Sequence, residues 1–206
     1  MVTIHYFFDP MCGWCYGATP LIEKVAYSDQ FEMVYHPGGM IPRRAIEAEF
    51  RQHILQADTR IAEKTNMTFG DAYKMRVKGA DDLILDSYIT TQAFIAGQNM
   101  GVKPYDMLKA IQEAHYQKGE PIEEADTLKA LAVSLGLEGQ EWDENMAKAQ
   151  IELKYELESS RTLMKELHVS GFPTLMAQVN GEYQLLPMSS YYGDVKSWET
   201  LLGSLV

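Results

Sequence analysis

Val2 to Phe8, VTIHYFF, strings β-branched and aromatic residues together without Gly or Pro, the pattern of a buried strand. From about Cys12 to Tyr27 the apolar positions take up helical spacing, and Pro20 inside that stretch predicts a kink. Residues 31–35, FEMVY, return to a strand pattern, which Pro37-Gly38-Gly39 brings to a stop. Strand, helix and strand with short connections predict a parallel pair joined by a right-handed crossover. The character changes between residues 41 and 157, where amphipathic helical segments fall at 44–59, 70–78, 86–100, 104–118 and 126–135, with no convincing strand. Gly101 closes one of these, Pro104 opens the next and Gly136 follows another. Residues 141–168 read as one long helix or two in series, with Glu141, Asp143 and Glu144 at the start and Lys165 and His168 at the end, as the helix dipole favours. TLMAQV at 174–179, Asn180-Gly181 and residues 182–186 spell a hairpin, since Asn-Gly suits a type I′ turn. Residues 194–205 supply a closing amphipathic helix that Asp194 is placed to cap. The order is β-α-β, a helical block, then α-β-β-α. We therefore expect an α/β domain built from residues 1–40 and 158–206 and split by an all-helical insertion, residues 41–157.

The 206 residues are 46% hydrophobic, enough for a sizeable core. A formal net charge of -11 argues against nucleic acid and anionic membrane as partners, because both select for basic patches. The acidity otherwise reads as solubility, and runs such as residues 120–126 as solvated faces. The opening residues lack the basic start and apolar core of a leader, and no apolar run approaches the ~18 residues of a membrane span, so a soluble cytoplasmic protein is expected.

Chemistry enters with MCGWC, which holds both cysteines, Cys12 and Cys15, where the first strand passes into the first helix. Positions i and i+3 share a helix face at about 5–6 Å between β-carbons, close enough for a disulfide after small adjustment. Gly13 removes one side chain from that turn. Cys12 falls at the start of the helix, where unpaired N–H groups and the dipole favour thiolate, and Cys15 falls one turn deeper. The spacing thus predicts an exposed nucleophile and a sheltered resolving thiol. A metal reading needs about four ligands, whereas one CxxC supplies two and the five histidines show no paired spacing. A four-thiolate site shared across a dimer is the remaining metal alternative; we expect no metal and no tightly held organic cofactor. Gly171-Phe172-Pro173-Thr174, directly before a predicted strand, gives a proline whose missing N–H and neighbouring backbone groups suit pairing with an extended peptide.

FDPMCGWC at 8–15, Pro20 and the distant GFPT at 171–174 resemble the DsbA family of thioredoxin-fold oxidoreductases, and most of all its leaderless bacterial branch of protein-disulfide isomerases. The resemblance spans the chain, because that family also interrupts a thioredoxin-like fold with a helical insertion. It implies that Cys12 attacks, that Cys15 resolves, and that Pro173 is cis and faces the pair. Gly13, Trp14, Phe172 and Pro173 are then the substrate-contacting set, and the partners are protein or peptide thiols and disulfides, with glutathione as a small-molecule reductant. The periplasmic oxidants of that family carry Pro-His between the cysteines, where this chain has Gly-Trp, and the few cations nearby point to a more reducing couple. Oligomeric state and direction of exchange stay open at this point. The rival readings are a glutathione-dependent transferase or isomerase of the kappa-class-like branch, which shares the split architecture, and a non-enzymatic peptide-binding or chaperone module. Asp9 reads first as a helix cap and second as a proton relay for Cys15. Met11 and Met40 read as flanks of a substrate groove, and Tyr191-Tyr192 carries no assigned role.

Overall fold

The computed structural model describes residues 2–206. Strand β1 (Val2–Phe8) is central in a four-stranded sheet of order β2-β1-β5-β6. Its parallel neighbour is β2 (Phe31–Pro37), and its antiparallel neighbour is β5 (Thr174–Val179), which pairs in turn with β6 (Glu182–Leu186). Strand β1 is paired along both edges and is also buried over both faces except at the half-buried Thr3, which suits the largely apolar VTIHYFF. Ile4, Tyr6, Phe7 and Phe8 are wholly inaccessible to solvent. Asn180 and Gly181 both take positive φ between β5 and β6, as a type I′ turn requires.

The predicted first helix is two, α1 (Gly13–Gly17) and α2 (Thr19–Ala26). They meet at Ala18, and the expected kink at Pro20 does not occur. Pro20 lies in the first turn of α2, where a missing N–H costs nothing.

The insertion comprises α3 (Ala48–Thr65), α4 (Asp71–Lys78), α5 (Ser87–Asn99), α6 (Pro104–Tyr116) and α7 (Ala125–Ser134). It is not free of strands. Between β2 and α3 lies β3 (Arg44–Ala45), which pairs antiparallel with β4 (Ile84–Leu85), lying between α4 and α5. Arg51 fastens this ribbon by donating to the carbonyls of Ile46, Gly79 and Asp81. Helix α8 (Gly139–Glu166) is a single helix of 28 residues that continues without a break through positions 157 and 158. A short 3₁₀ turn (Met188–Tyr191) and α9 (Val195–Gly203) complete the chain, with the buried Trp198 indole N–H donating to the Leu21 carbonyl at 2.9 Å.

Two contacts bring the insertion against the cysteine segment. A β-carbon on Gly17 would come within 2.7 Å of Ile61 Cγ2, so α1 and α3 touch where α1 has no side chain. Phe94 of α5 meets Phe8 edge-on at 5.0 Å between ring centres. No helix among the described residues is long and apolar enough to cross a membrane.

Candidate active site

The chain leaves β1 through Asp9-Pro10-Met11 and turns into α1 with Cys12 as the N-cap residue, in extended conformation. Asp9 organises this turn. Its Oδ1 accepts from the Met11 N–H at 2.9 Å and the Ser87 hydroxyl at 2.7 Å, and its Oδ2 accepts from the Met40 N–H at 2.6 Å. None of these donors belongs to α1, so the capping role expected of Asp9 is replaced by a wider one. A single buried carboxylate ties the cysteine loop to the loop after β2 and to the start of α5. Burial pushes the Asp9 carboxyl up, and its three donors pull against that shift.

Cys15 is fully enclosed, as its place one turn into the helix predicts. Burial raises its thiol well above the ordinary range, and its hydrogen bond to the Cys12 sulfur adds to the effect. Cys12 is less open than expected: only 7% of its surface is accessible. Its thiol donates to the Phe172 carbonyl at 3.7 Å, across 160 positions of sequence, and the Phe172–Pro173 peptide is cis. Both thiols are free. Cys12, Cys15, Phe172 and Pro173 therefore come together. Tyr6 and Tyr116 lie close to the sulfurs, and burial above all keeps both phenols neutral.

Gly13 has a different reason to be glycine from the one expected. A β-carbon there would meet Ile61 Cδ1 at 3.0 Å and Asp58 Oδ1 at 3.2 Å, so the position makes room for α3 rather than easing a torsion. Trp14 stacks on Tyr192 with ring centres 5.5 Å apart, and the Lys64 ammonium lies 5.9 Å from the indole centre. Tyr192, which the sequence left without a role, thus forms one border of the site. Gly38 is covered by the Phe172 ring, and Arg161 donates to the carbonyls of Gly38 and Gly39 and to the Tyr88 hydroxyl.

A cavity of about 270 Å³ opens beside Cys12. Met11 and Met40 line it, as expected of groove flanks, together with Trp14 and Phe172. The insertion contributes Asp58 and Tyr73, neither of which sequence reasoning singled out. Asp58 carried one signal: it occupies the apolar stripe of its helix, in step with Ile54, Ile61 and Thr65. Among the described residues no three His, Cys, Asp or Glu side chains converge as metal ligands.

Comparison with known proteins places this geometry in context. The family described as DSBA-like thioredoxin domain matches residues 3–201. The solved structure of a cytosolic disulfide reductase, DsbM from Pseudomonas aeruginosa, is 33% identical, with 98% of this chain and 97% of that one covered and a TM-score of 0.91. The same reductase in its structure with GSH superposes with a TM-score of 0.87, at 32% identity and 98% coverage of both chains. A candidate protein disulfide isomerase from Nitrosomonas europaea, 23% identical over 98% of this chain and 96% of that one, shares the fold with a TM-score of 0.80. No curated protein matches the chain.

Proposed function

The chain belongs to the DSBA-like thioredoxin domain family and is a disulfide oxidoreductase; from that premise we propose that it acts in the cytosol as a reductase, with Cys12 attacking, Cys15 resolving and glutathione restoring the pair. The observation that carries this reading is the asymmetry of the two sulfurs. Cys12 borders the cavity and faces the Phe172 carbonyl, whereas Cys15 lies behind it, enclosed and protonated.

In the reductive direction the Cys12 thiolate attacks a substrate disulfide. The Cys12–substrate S–S bond forms, the substrate's own S–S bond breaks, and the electron pair leaves on its distal sulfur, which takes up a proton. Cys15 then gives up its proton and displaces the substrate from Cys12, leaving a Cys12–Cys15 disulfide. Two glutathione thiols reduce that bond and become one glutathione disulfide. Gly13, Trp14, Phe172 and Pro173 line the substrate's path, and the 41–157 block supplies the wall that faces Cys12. Two features support the reducing direction. The cavity lining has no lysine or arginine to stabilise a thiolate, and the 33% identical neighbour is a cytosolic disulfide reductase that has also been solved with GSH.

The test is Cys15→Ser expressed in cells. It should accumulate mixed disulfides on Cys12 that a Cys12→Ser variant lacks, and the couple should equilibrate with glutathione at a potential below about -200 mV. No adducts, together with no dithiol exchange in vitro, would sink the reading. Suppression of aggregation that survives in Cys12→Ser would point instead to a peptide-binding module.

A further inference from the structure

The lining of the cavity beside Cys12 holds one carboxyl group, Asp58, and no lysine or arginine. Helix α3 delivers it from the insertion on its buried face, between Ile54 and Ile61, with 6% of its surface accessible. Its two oxygens differ in circumstance. Oδ2 accepts from the Tyr73 hydroxyl at 2.8 Å. Oδ1 lies 3.2 Å from the point that a β-carbon on residue 13 would occupy, against the backbone between Cys12 and Trp14. Among the described residues Oδ1 has no hydrogen-bond partner, and Asp58 lines the cavity that a substrate of Cys12 would enter.

We propose that Asp58 is the general acid–base of the exchange, protonating the substrate sulfur that departs when Cys12 attacks and taking the proton back in the reverse direction. This rests on Cys12 being the attacking sulfur. In the forward step the Cys12–S bond forms, the substrate S–S bond breaks, and the leaving sulfur receives both the electron pair and the Asp58 proton. Asp58 is left as a carboxylate held by Tyr73 and regains a proton from solvent. The benefit depends on the leaving group. An alkyl thiolate, basic at pKa ~8.5, departs poorly without a proton, whereas an aromatic thiolate departs readily.

The surroundings suit the role. Burial pushes the Asp58 carboxyl up to about 7, and the Tyr73 hydrogen bond opposes the shift, so both forms are populated near neutrality. From α4 it faces Tyr73, with Lys74 and Lys78 bordering the adjoining outer groove. His115 and Tyr116 face it from α6, His53 and Glu63 border these spaces on its own helix, and Cys12 lies at the start of α1. Burial lowers His115 to about 3 and raises Tyr73 and Tyr116 well above 10, so none of these three carries charge near neutrality.

The experiment is single-turnover reduction of two disulfides by the reduced full-length protein between pH 5.5 and 8.5. One is glutathione disulfide, and the other is the aromatic disulfide dithiobis(nitrobenzoate). Asp58→Asn keeps the shape of the side chain and removes its proton. It should slow glutathione disulfide about 10²-fold below pH 7 and the aromatic disulfide less than about threefold. Equal losses on both, or no loss on either, overturn the proposal while leaving Cys12 exchange standing. A wild-type protein that reduces neither disulfide overturns the exchange reading and the proposal with it. Tyr73→Phe serves as a second variant should Asp58→Asn fold poorly. Removing the bond that favours the carboxylate should move the inflection in the glutathione-disulfide profile to higher pH with its amplitude kept. An unmoved inflection refutes the assignment.

Discussion

Gly38→Ala probes the link between the sheet and the Pro173 loop. Gly38 follows β2 and donates its N–H to the Phe8 carbonyl at 2.8 Å. Its φ is not positive, so alanine suits the backbone, and the constraint is one of space alone. A β-carbon there would lie 2.0 Å from Phe172 Cζ, 2.5 Å from Cε2 and 2.7 Å from Cε1. Carbon atoms pack at about 3.5–4.0 Å, so the ring must retreat by about 1.5 Å. Overpacking of that kind costs about 1–3 kcal/mol. For a chain of 206 residues it should lower Tm by about 2–12 °C. The displaced ring belongs to the residue whose carbonyl accepts the Cys12 thiol, so the rate of exchange should fall as well. The assay is urea unfolding of a double-mutant cycle with Phe172→Ala. Once the ring is gone the alanine has nothing to strike, and its effect should change sign to a gain of about 0.4–1 kcal/mol, because Gly→Ala restricts the unfolded chain. The two effects differ by about 1.4–4 kcal/mol, which is the coupling energy expected. Additive losses, with Gly38→Ala equally costly in both backgrounds, would refute the reasoning.

Two further perturbations test the frame of the insertion. Arg76 pairs with Glu123, which is buried, and also donates to the Glu120 carbonyl. Arg76→Met leaves a buried charge without its partner and should cost about 3–5 kcal/mol by denaturant titration, with little change on adding salt. A loss under about 1 kcal/mol, or one abolished by salt, would contradict this. His115 concerns pH: burial lowers it from 6.5 to about 3, so it is neutral in the fold and protonates more readily when unfolded. The stability it contributes is complete above pH 6.5 and is lost as pH falls toward 3, at about 1.4 kcal/mol per pH unit. His36, lowered to about 4 by burial, adds a loss of the same sign. Urea midpoints at pH 7, 6 and 5 should fall less steeply in His115→Gln than in wild type; parallel curves would refute the assignment.

The parts of the structure legible in the sequence are those with a repeating signal. VTIHYFF shows that it is buried on both sides, Asn-Gly its turn, and the helices of the insertion their apolar stripes. The CxxC and GFPT segments announce themselves by residue type, and the structure brings them to 3.7 Å of each other. Strands β3 and β4 were missed because two residues cannot display a period. Asp9 was misjudged for a different reason. Its donors Met40 and Ser87 are 31 and 78 positions away, and local reasoning sees only the helix that follows. Asp58 looked like one acid among many in a charged helix, although a stripe otherwise built from Ile54, Ile61 and Thr65 marks it as inward-facing. Tyr192 lies in a loop with no periodicity, and only the tertiary stack on Trp14 gives it a place.

The unbroken course of α8 has a consequence for how substrates would be selected. A helix of 28 residues is about 42 Å of rod. Its N-terminal part packs with the insertion, and its C-terminal part passes over the end of β2, where Arg161 holds the Gly38 and Gly39 carbonyls. The other crossing between the two halves, at Met40, is fastened by Asp9. Both crossings are thus tied by hydrogen bonds, where a jaw would need a free pivot. On that footing the gap at Cys12 would act as a fixed gauge rather than a closing mouth. Substrates would then be sorted by whether a disulfide can be presented at that width, and changes in selectivity should arise from the side chains on its rim, not from domain motion.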